Sequence, residues 1–174
     1  MKKEEPKIAR MDPKFKYELA KFHGAEKVML CFQCGTCTAD CPVGQRVDEF
    51  RPRQIARLAV LGLKERLFSG DTLWLCAGCY TCHERCPQDV RPTEVIAALR
   101  VLAVREGYIH PSLRKLVDSM EKNGYIYEIT EFENEMREDM GLPAAPQVNL
   151  DEVRKIMKKT DFDRLTGITL EEEG

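Results

Sequence analysis

The sequence predicts an all-α protein in which short helices are joined by two cysteine loops. Three observations carry that expectation. Apolar residues recur at helical intervals, as at Ile55, Leu58, Ala59, Gly62 and Leu63. Proline and glycine sit where helices start and stop, as in Asp12-Pro13 with Gly24 and Pro111 with Gly124. The period-two alternation of a strand is missing everywhere except residues 125–129, where one short strand is expected.

Taken in order, Asp12-Pro13 caps a first helix with Phe15, Leu19 and Phe22 on one face and Gly24 as its stop. It delivers the chain to Cys31-Phe-Gln-Cys34-Gly-Thr-Cys37-Thr-Ala-Asp-Cys41-Pro42. Between Cys41 and Cys76 lie 34 residues that are expected to be helical, with Pro52 in the first turn. Arg53, Arg57 and Lys64 share a second face there, as a basic stripe or simply a solvated one. Ser69-Gly70-Asp71-Thr72 is a turn, and Leu73-Trp74-Leu75 leads into Cys76-Ala-Gly-Cys79-Tyr-Thr-Cys82-His-Glu-Arg-Cys86-Pro87. Trp74, beside these cysteines, is expected to shield them from water.

Pro92-Thr93-Glu94 then opens a helix holding Val95, Ala98, Leu99 and Leu102 and closing near Gly107. The next helix spans 111–123, with Leu113, Leu116, Val117 and Met120 inward and Gly124 at its end. Thr130-x-x-Glu133 is a capping box for a charged helix that stops at Gly141-Leu142-Pro143. Residues 142–148 form a Pro/Ala connector, and Asn149-x-x-Glu152 caps a last helix through Lys159. The expected division is an N-terminal helix in 1–24, a cysteine-loop domain in 25–124 and an acidic helical extension in 125–174.

All eight cysteines fall in the two runs, each spaced C-x2-C-x2-C-x3-C-P. That spacing is the bacterial-type signature for a [4Fe–4S] cluster. Three thiolates at intervals of three let one loop wrap a cube, each reaching a different iron. In two-cluster ferredoxins the fourth cysteine of a run ligates the other cluster. On that rule Cys31, Cys34, Cys37 and Cys86 hold one cluster, and Cys76, Cys79, Cys82 and Cys41 the second. Pro42 and Pro87 fix the backbone after each fourth ligand, and Gly35 and Gly78 remove bulk where backbone approaches sulfide. Zinc sites use cysteine pairs across a longer spacer or mix Cys with His, a poor match to this spacing. Disulfides require an oxidising compartment, and a doubled periodic run is not a scatter of buried thiols. Arg85 and Arg91 stand where a cation would raise a potential, Tyr80 and His83 where they would pack or donate behind the ligands, and His23 is an ordinary surface histidine.

With 174 residues and 43% hydrophobic content, the chain holds one domain, or one with a tail. The charged start Met1-Lys-Lys-Glu-Glu is not a signal peptide, and apolar runs such as 58–63 are too short to span a bilayer. Eight thiols without a secretion signal place the protein in the cytoplasm. The formal charge of −2 hides an asymmetry: residues 1–117 carry 20 Lys/Arg against 14 Asp/Glu, residues 118–174 carry 7 against 15. A basic surround suits an anionic cluster with its thiolates. The basic residues lack interleaved aromatics, which argues against nucleic acid.

The two runs separated by a helical spacer resemble the α-helical ferredoxin superfamily; small bacterial ferredoxins use shorter gaps and hairpins. Within it, Cys31-Phe-Gln-Cys34-Gly-Thr-Cys37 and Leu75-Cys76-Ala-Gly-Cys79-Tyr-Thr-Cys82-His-Glu-Arg-Cys86-Pro87 are similar to the C subunit of heterodisulfide reductase. The likeness extends to Arg51-Pro-Arg-Gln-Ile and Met140-Gly-Leu-Pro-Ala-Ala-Pro, and spans residues 25–150. It implies two [4Fe–4S] clusters in an oxidoreductase complex of methanogenesis. They would relay electrons from the flavin-containing A subunit to the B subunit, whose CCG domains reduce the CoM-S-S-CoB heterodisulfide. It also implies larger assemblies with a hydrogenase or formate dehydrogenase. This chain has no adjacent cysteine pair and no Gly-rich dinucleotide loop, so it is expected to conduct electrons without turning over substrate, with no catalytic residue of its own. The rivals are the iron–sulfur subunit of a glycolate or glycerol-3-phosphate dehydrogenase complex and a cluster-based redox sensor. A succinate dehydrogenase subunit would need a further [2Fe–2S] domain. The sensor would need a DNA-binding element or an incomplete ligand set, and neither is visible.

Overall fold

Proline and glycine frame the helices of this protein more firmly than helix propensity does. The structure, a computed structural model, describes residues 10–168 and 170, and among these every regular element is helical. The strand expected at 125–129 is a run of bends and irregular chain. Tyr125 there turns its hydroxyl to the Pro146 carbonyl, a side-chain contact that no alternation of apolar residues reveals. The chain divides into two compact units, one ending at Tyr108 and the other beginning at Ile109.

The first unit holds α1 (Phe15–Leu19), a 3-10 turn (Val28–Leu30), α2 (Thr36–Ala39), α3 (Pro52–Leu61), α4 (Lys64–Phe68), α5 (Thr81–Glu84) and α6 (Pro92–Arg105). Helix α1 is shorter than expected; the chain turns between Leu19 and Gly24, and Asp12 accepts from the Lys14 amide at 2.9 Å to start it. Helices α3 and α6 both open on proline, which carries no amide to leave unpaired in the first turn. Buried Ile55 and Ala59 of α3 meet Phe15 and Leu19 of α1 and the Val95, Leu99 and Leu102 stripe of α6. Each such large apolar side chain contributes roughly 1.5–3 kcal/mol by leaving water.

Gly62, expected within the apolar stripe of α3, is the left-handed cap that ends the helix, with φ at 71°. Its carbonyl accepts from the Asp12 amide at 2.9 Å, and a Cβ there would lie 1.8 Å from the Asp12 carbonyl oxygen. The expected basic stripe also breaks at this cap. Lys64 begins α4 and turns its ammonium to Glu106 at 3.0 Å, Glu18 at 3.5 Å and Asp12 at 3.8 Å. It therefore ties α1 to the end of α6 and leaves only Arg53 and Arg57 on the exposed face of α3.

The second unit holds α7 (Pro111–Asn123), α8 (Glu131–Asp139), α9 (Leu150–Lys159) and α10 (Phe162–Thr166). Helix α7 packs on α9, and so belongs with these helices and not with the cysteine loops. Gly124 ends α7 in the left-handed region and is closed over by Val148, so it marks a packed turn and not a linker. The small core is Val117, Met157 and Leu170, and buried Glu121 pairs with partly buried Arg154 at 2.9 Å. Leu116, expected inward, is exposed. The Thr130–Glu133 capping box forms, and Asn149 accepts from the Asp151 and Glu152 amides at the head of α9. Helix α10, beyond the last helix expected, follows a left-handed turn at Asp161.

Candidate metal centres

Each cysteine run folds by the same local rule. The second cysteine, Cys34 or Cys79, is exposed and flanked by two left-handed residues that wind the chain around it. In the first loop these are Gln33 (φ 64°) and Gly35 (φ 90°); in the second they are Gly78 (φ 66°) and Tyr80 (φ 60°). A one-turn helix, α2 or α5, then carries the third cysteine inward, leaving Cys37 and Cys82 buried. The glycines serve the backbone turn more than clearance from the protein. Among the described residues a Cβ on Gly78 would meet no atom within 4 Å, and one on Gly35 only the Arg53 side chain at 3.8 Å.

Helices α2 and α5 pack together, so the loops lie side by side and their fourth cysteines cross over. One cavity is lined by Cys31, Cys34, Cys37 and Cys86, the other by Cys76, Cys79, Cys82 and Cys41. The helix starts cross in the same way: Arg53 and Ala56 of α3 wall the first cavity and Pro52 the second, while Thr93 and Ile96 of α6 wall the second and Pro92 the first. Among the described residues no three Cys, His, Asp or Glu groups converge on a point fit for one ion. The thiols instead ring a space, which is what a cube with an iron at each of four corners requires.

Donors face the sulfurs. The Gly44 amide reaches Cys41 Sγ at 3.4 Å and the Val90 amide reaches Cys86 Sγ at 3.3 Å. Thr36 Oγ1 lies 3.4 Å from Cys34 Sγ, with either atom able to donate, and the Cys79 thiol donates to Thr81 Oγ1 at 3.5 Å; these hydrogen bonds lower both thiol pKa values. Burial pushes Cys37 up to about 11 and also raises Cys82, outweighing the Thr93 hydroxyl 3.0 Å from its sulfur. The exposed second cysteines thus give up their protons more readily than the buried third ones. The residues present fit an iron–sulfur cluster in each cavity.

Comparison with known proteins agrees with this chemistry. Residues 4–90 match the family model of the 4Fe-4S dicluster domain. The C subunit of the H2:CoB-CoM heterodisulfide,ferredoxin reductase of Methanothermobacter marburgensis is 39% identical over 160 residues, covering 88% of this chain and 86% of the relative. The iron-sulfur C subunit of the CoB-CoM heterodisulfide reductase of Methanopyrus kandleri is 38% identical over 151 residues, covering 83% and 78%. The C subunit of the ferredoxin:CoB-CoM heterodisulfide reductase of Methanosarcina mazei is 35% identical over 146 residues, covering 80% and 89%. The chain belongs to the family of heterodisulfide reductase C subunits. As an iron–sulfur subunit of that family it has the all-α architecture expected from its sequence, built around its dicluster domain.

Several side chains behind the ligands of this family member take roles other than those expected. Trp74 lines neither cavity; it packs on the main core and lies under the Arg100 guanidinium, 5.7 Å from its ring centre. Sequence reasoning misses Arg100. It reaches back from α6 to the carbonyls of Leu73 at 2.8 Å, Trp74 at 3.2 Å and Cys76 at 2.7 Å, and so fixes the entry to the second loop. Its only sequence signal is a lone cation in the apolar run of α6. Arg85 pairs with Asp40 at 3.4 Å, and Arg91 with Asp89 at 3.0 Å, so a carboxylate offsets the field of each. Tyr80 leans on the His83 ring, centroids 5.6 Å apart. His83 Nδ1 is buried and has no hydrogen-bond partner among the described residues. His23 is 98% exposed, as expected of a surface histidine.

Proposed function

We propose that this chain is the electron-transfer component of a heterodisulfide reductase complex, relaying single electrons between two [4Fe–4S] clusters. Cys31, Cys34, Cys37 and Cys86 hold one cluster, and Cys76, Cys79, Cys82 and Cys41 the other. The observation that carries the reading is the pair of cavities in which three thiols of one loop meet the fourth thiol of the other. A bound [4Fe–4S] cluster supplies one-electron chemistry. The protein supplies four thiolates at each site, so no coordination position is set aside for substrate. The crossed cysteines and the packing of α2 on α5 keep the sites side by side, and the backbone amides of Gly44 and Val90 stabilise negative charge on the crossing sulfurs.

The partners follow from family membership: the flavin-containing A subunit as the electron source and the CCG-domain B subunit as the site of heterodisulfide reduction. Relatives named for H2 and for H2/formate support a larger assembly with a hydrogenase or a formate dehydrogenase. No helix among the described residues is long and apolar enough to cross a membrane, and the working compartment is the cytoplasm. In the acidic extension, α8 buries none of its residues and exposes Phe132, Met136 and, beyond its end, Met140; this extension docks one of the partner proteins.

The test is anaerobic affinity purification from the native cell, with co-purifying proteins identified and flavin assayed. Recovery of a CCG-domain protein together with a flavoprotein is expected. Recovery of a glycolate or glycerol-3-phosphate dehydrogenase, or of no partner, overturns the assignment. A chain lacking residues 130–174 should fail to assemble; unchanged assembly removes the docking role.

A further inference from the structure

We propose that Thr93 is a positioning residue that raises the potential of the second cluster by donating its hydroxyl hydrogen bond to Cys82. The inference rests on Cys82 being a cluster ligand, as assigned above. Thr93 follows Pro92 in the first turn of α6, is 6% exposed, and places Oγ1 3.0 Å from Cys82 Sγ. Beside it in the same cavity wall stand apolar Phe50 and Ile96. A hydroxyl in such a place loses its water and is tolerated only with a partner. Valine has the same shape and would suit this apolar wall better, so the oxygen is there for the sulfur.

The direction of the hydrogen bond follows from ligation. In the free thiol either atom can donate. A metal-bound thiolate carries no proton, so the hydroxyl must be the donor. A donor at a ligand sulfur stabilises the reduced cluster, which carries one more negative charge, over the oxidised one. The potential therefore rises.

At the first site the third cysteine, Cys37, has a side-chain hydrogen bond with Thr38. At the matching place in α3, after Pro52, stands Arg53; it is exposed, and its backbone amide is bonded to Thr38 Oγ1 at 3.0 Å. The first site also has Gln33, whose Nε2 donates to Cys31 Sγ at 3.2 Å, where the second loop has Gly78. The Thr93 contact is shorter and more buried than the Gln33 contact. Each site thus has side-chain donors of its own, from different elements, and its potential is separately adjustable.

The experiment is a redox titration followed by paramagnetic resonance on the full chain with both clusters in place. The second site's signal is identified by its loss in Cys79→Ser. In Thr93→Val that midpoint should fall, with the reduced-to-oxidised ratio at fixed potential dropping about tenfold, equivalent to about 59 mV for one electron. The first site's midpoint should stay, and Thr93→Ser should restore the second. Unchanged midpoints in Thr93→Val, or a serine variant that shifts as far as valine, would overturn the proposal with the ligand assignment intact. An unsubstituted chain with fewer than two clusters, or a second signal that survives Cys79→Ser, would overturn the ligand assignment and this inference with it.

Discussion

The two cysteine loops follow one plan and disagree about where the glycine goes. Both need two left-handed residues around their second cysteine; the first loop places glycine after it and Gln33 before it, the second places glycine before it and Tyr80 after it. A side chain in the left-handed region costs about 1–2 kcal/mol, so each loop carries one strained residue at opposite positions. Each strained residue has a contact to set against that cost. Gln33 donates to Cys31 Sγ, and Tyr80 rests on His83. What the pair teaches is that cysteine spacing and backbone conformation define the site, while the residues that hold the conformation are free to differ.

The largest test of the common plan removes the crossing ligands. Cys86→Ser is expected to damage the cluster of the first loop, and Cys41→Ser that of the second, each leaving the other cluster's iron and signal in place. If Cys86→Ser erased the same signal as Cys79→Ser, the crossed ligation would be wrong. Next in size is an exchange of the differences themselves. Gly35→Ala should destabilise the cluster-loaded chain by at least about 1–2 kcal/mol through backbone strain; among the described residues Arg53 alone lies within 4 Å of the added methyl. Tyr80→Gly should stabilise it by up to about 1 kcal/mol. Anaerobic denaturation of both variants is the check, and a destabilised Tyr80→Gly would mean that the ring contact with His83 outweighs the strain.

Legibility in the sequence divides along a physical line. Features written in local order are readable: the cysteine spacing, the prolines opening α3, α6 and α7, and the caps at Thr130 and Asn149. Features defined by a distant partner are not. Gly62 fits the helical period, but its role comes from Asp12 packing against its bare Cα. Lys64 fits a basic stripe until three carboxylates, Asp12 ahead of α1, Glu18 within it and Glu106 at the end of α6, draw it away. Thr93 looks like an ordinary first-turn residue until α6 carries it to Cys82, and Arg100 like a stray cation until it finds three carbonyls. Trp74, beside the cysteines in sequence, faces the core and not a cavity. Periodicity identifies which side of a helix is buried; it carries no record of what that side meets.

The smallest expected effect concerns the carboxylates ahead of the two proline-led helices. Asp48 pairs with Arg51 at 3.2 Å before α3, and its side chain is 95% exposed. Asp89 lies before α6 between Lys27 at 2.6 Å and Arg91 at 3.0 Å, and those partners lower its pKa from 3.8 to about 2. A carboxyl depressed in the folded chain stabilises fully above its ordinary pKa and loses that contribution as the pH falls toward about 2, so at neutral pH the whole of it is present. Asp89→Asn then reads the charge alone, because asparagine tolerates the φ of 49° that Asp89 adopts. The variant is expected to melt slightly below the parent at low salt and to converge with it at high salt, where exposed pairs are screened. Asp48→Asn, with a single partner in open solvent, should melt with the parent at both. Equal losses in the two variants would show that the second cation, Lys27, adds nothing, and that the heads of α3 and α6 are alike in strength as well as in form.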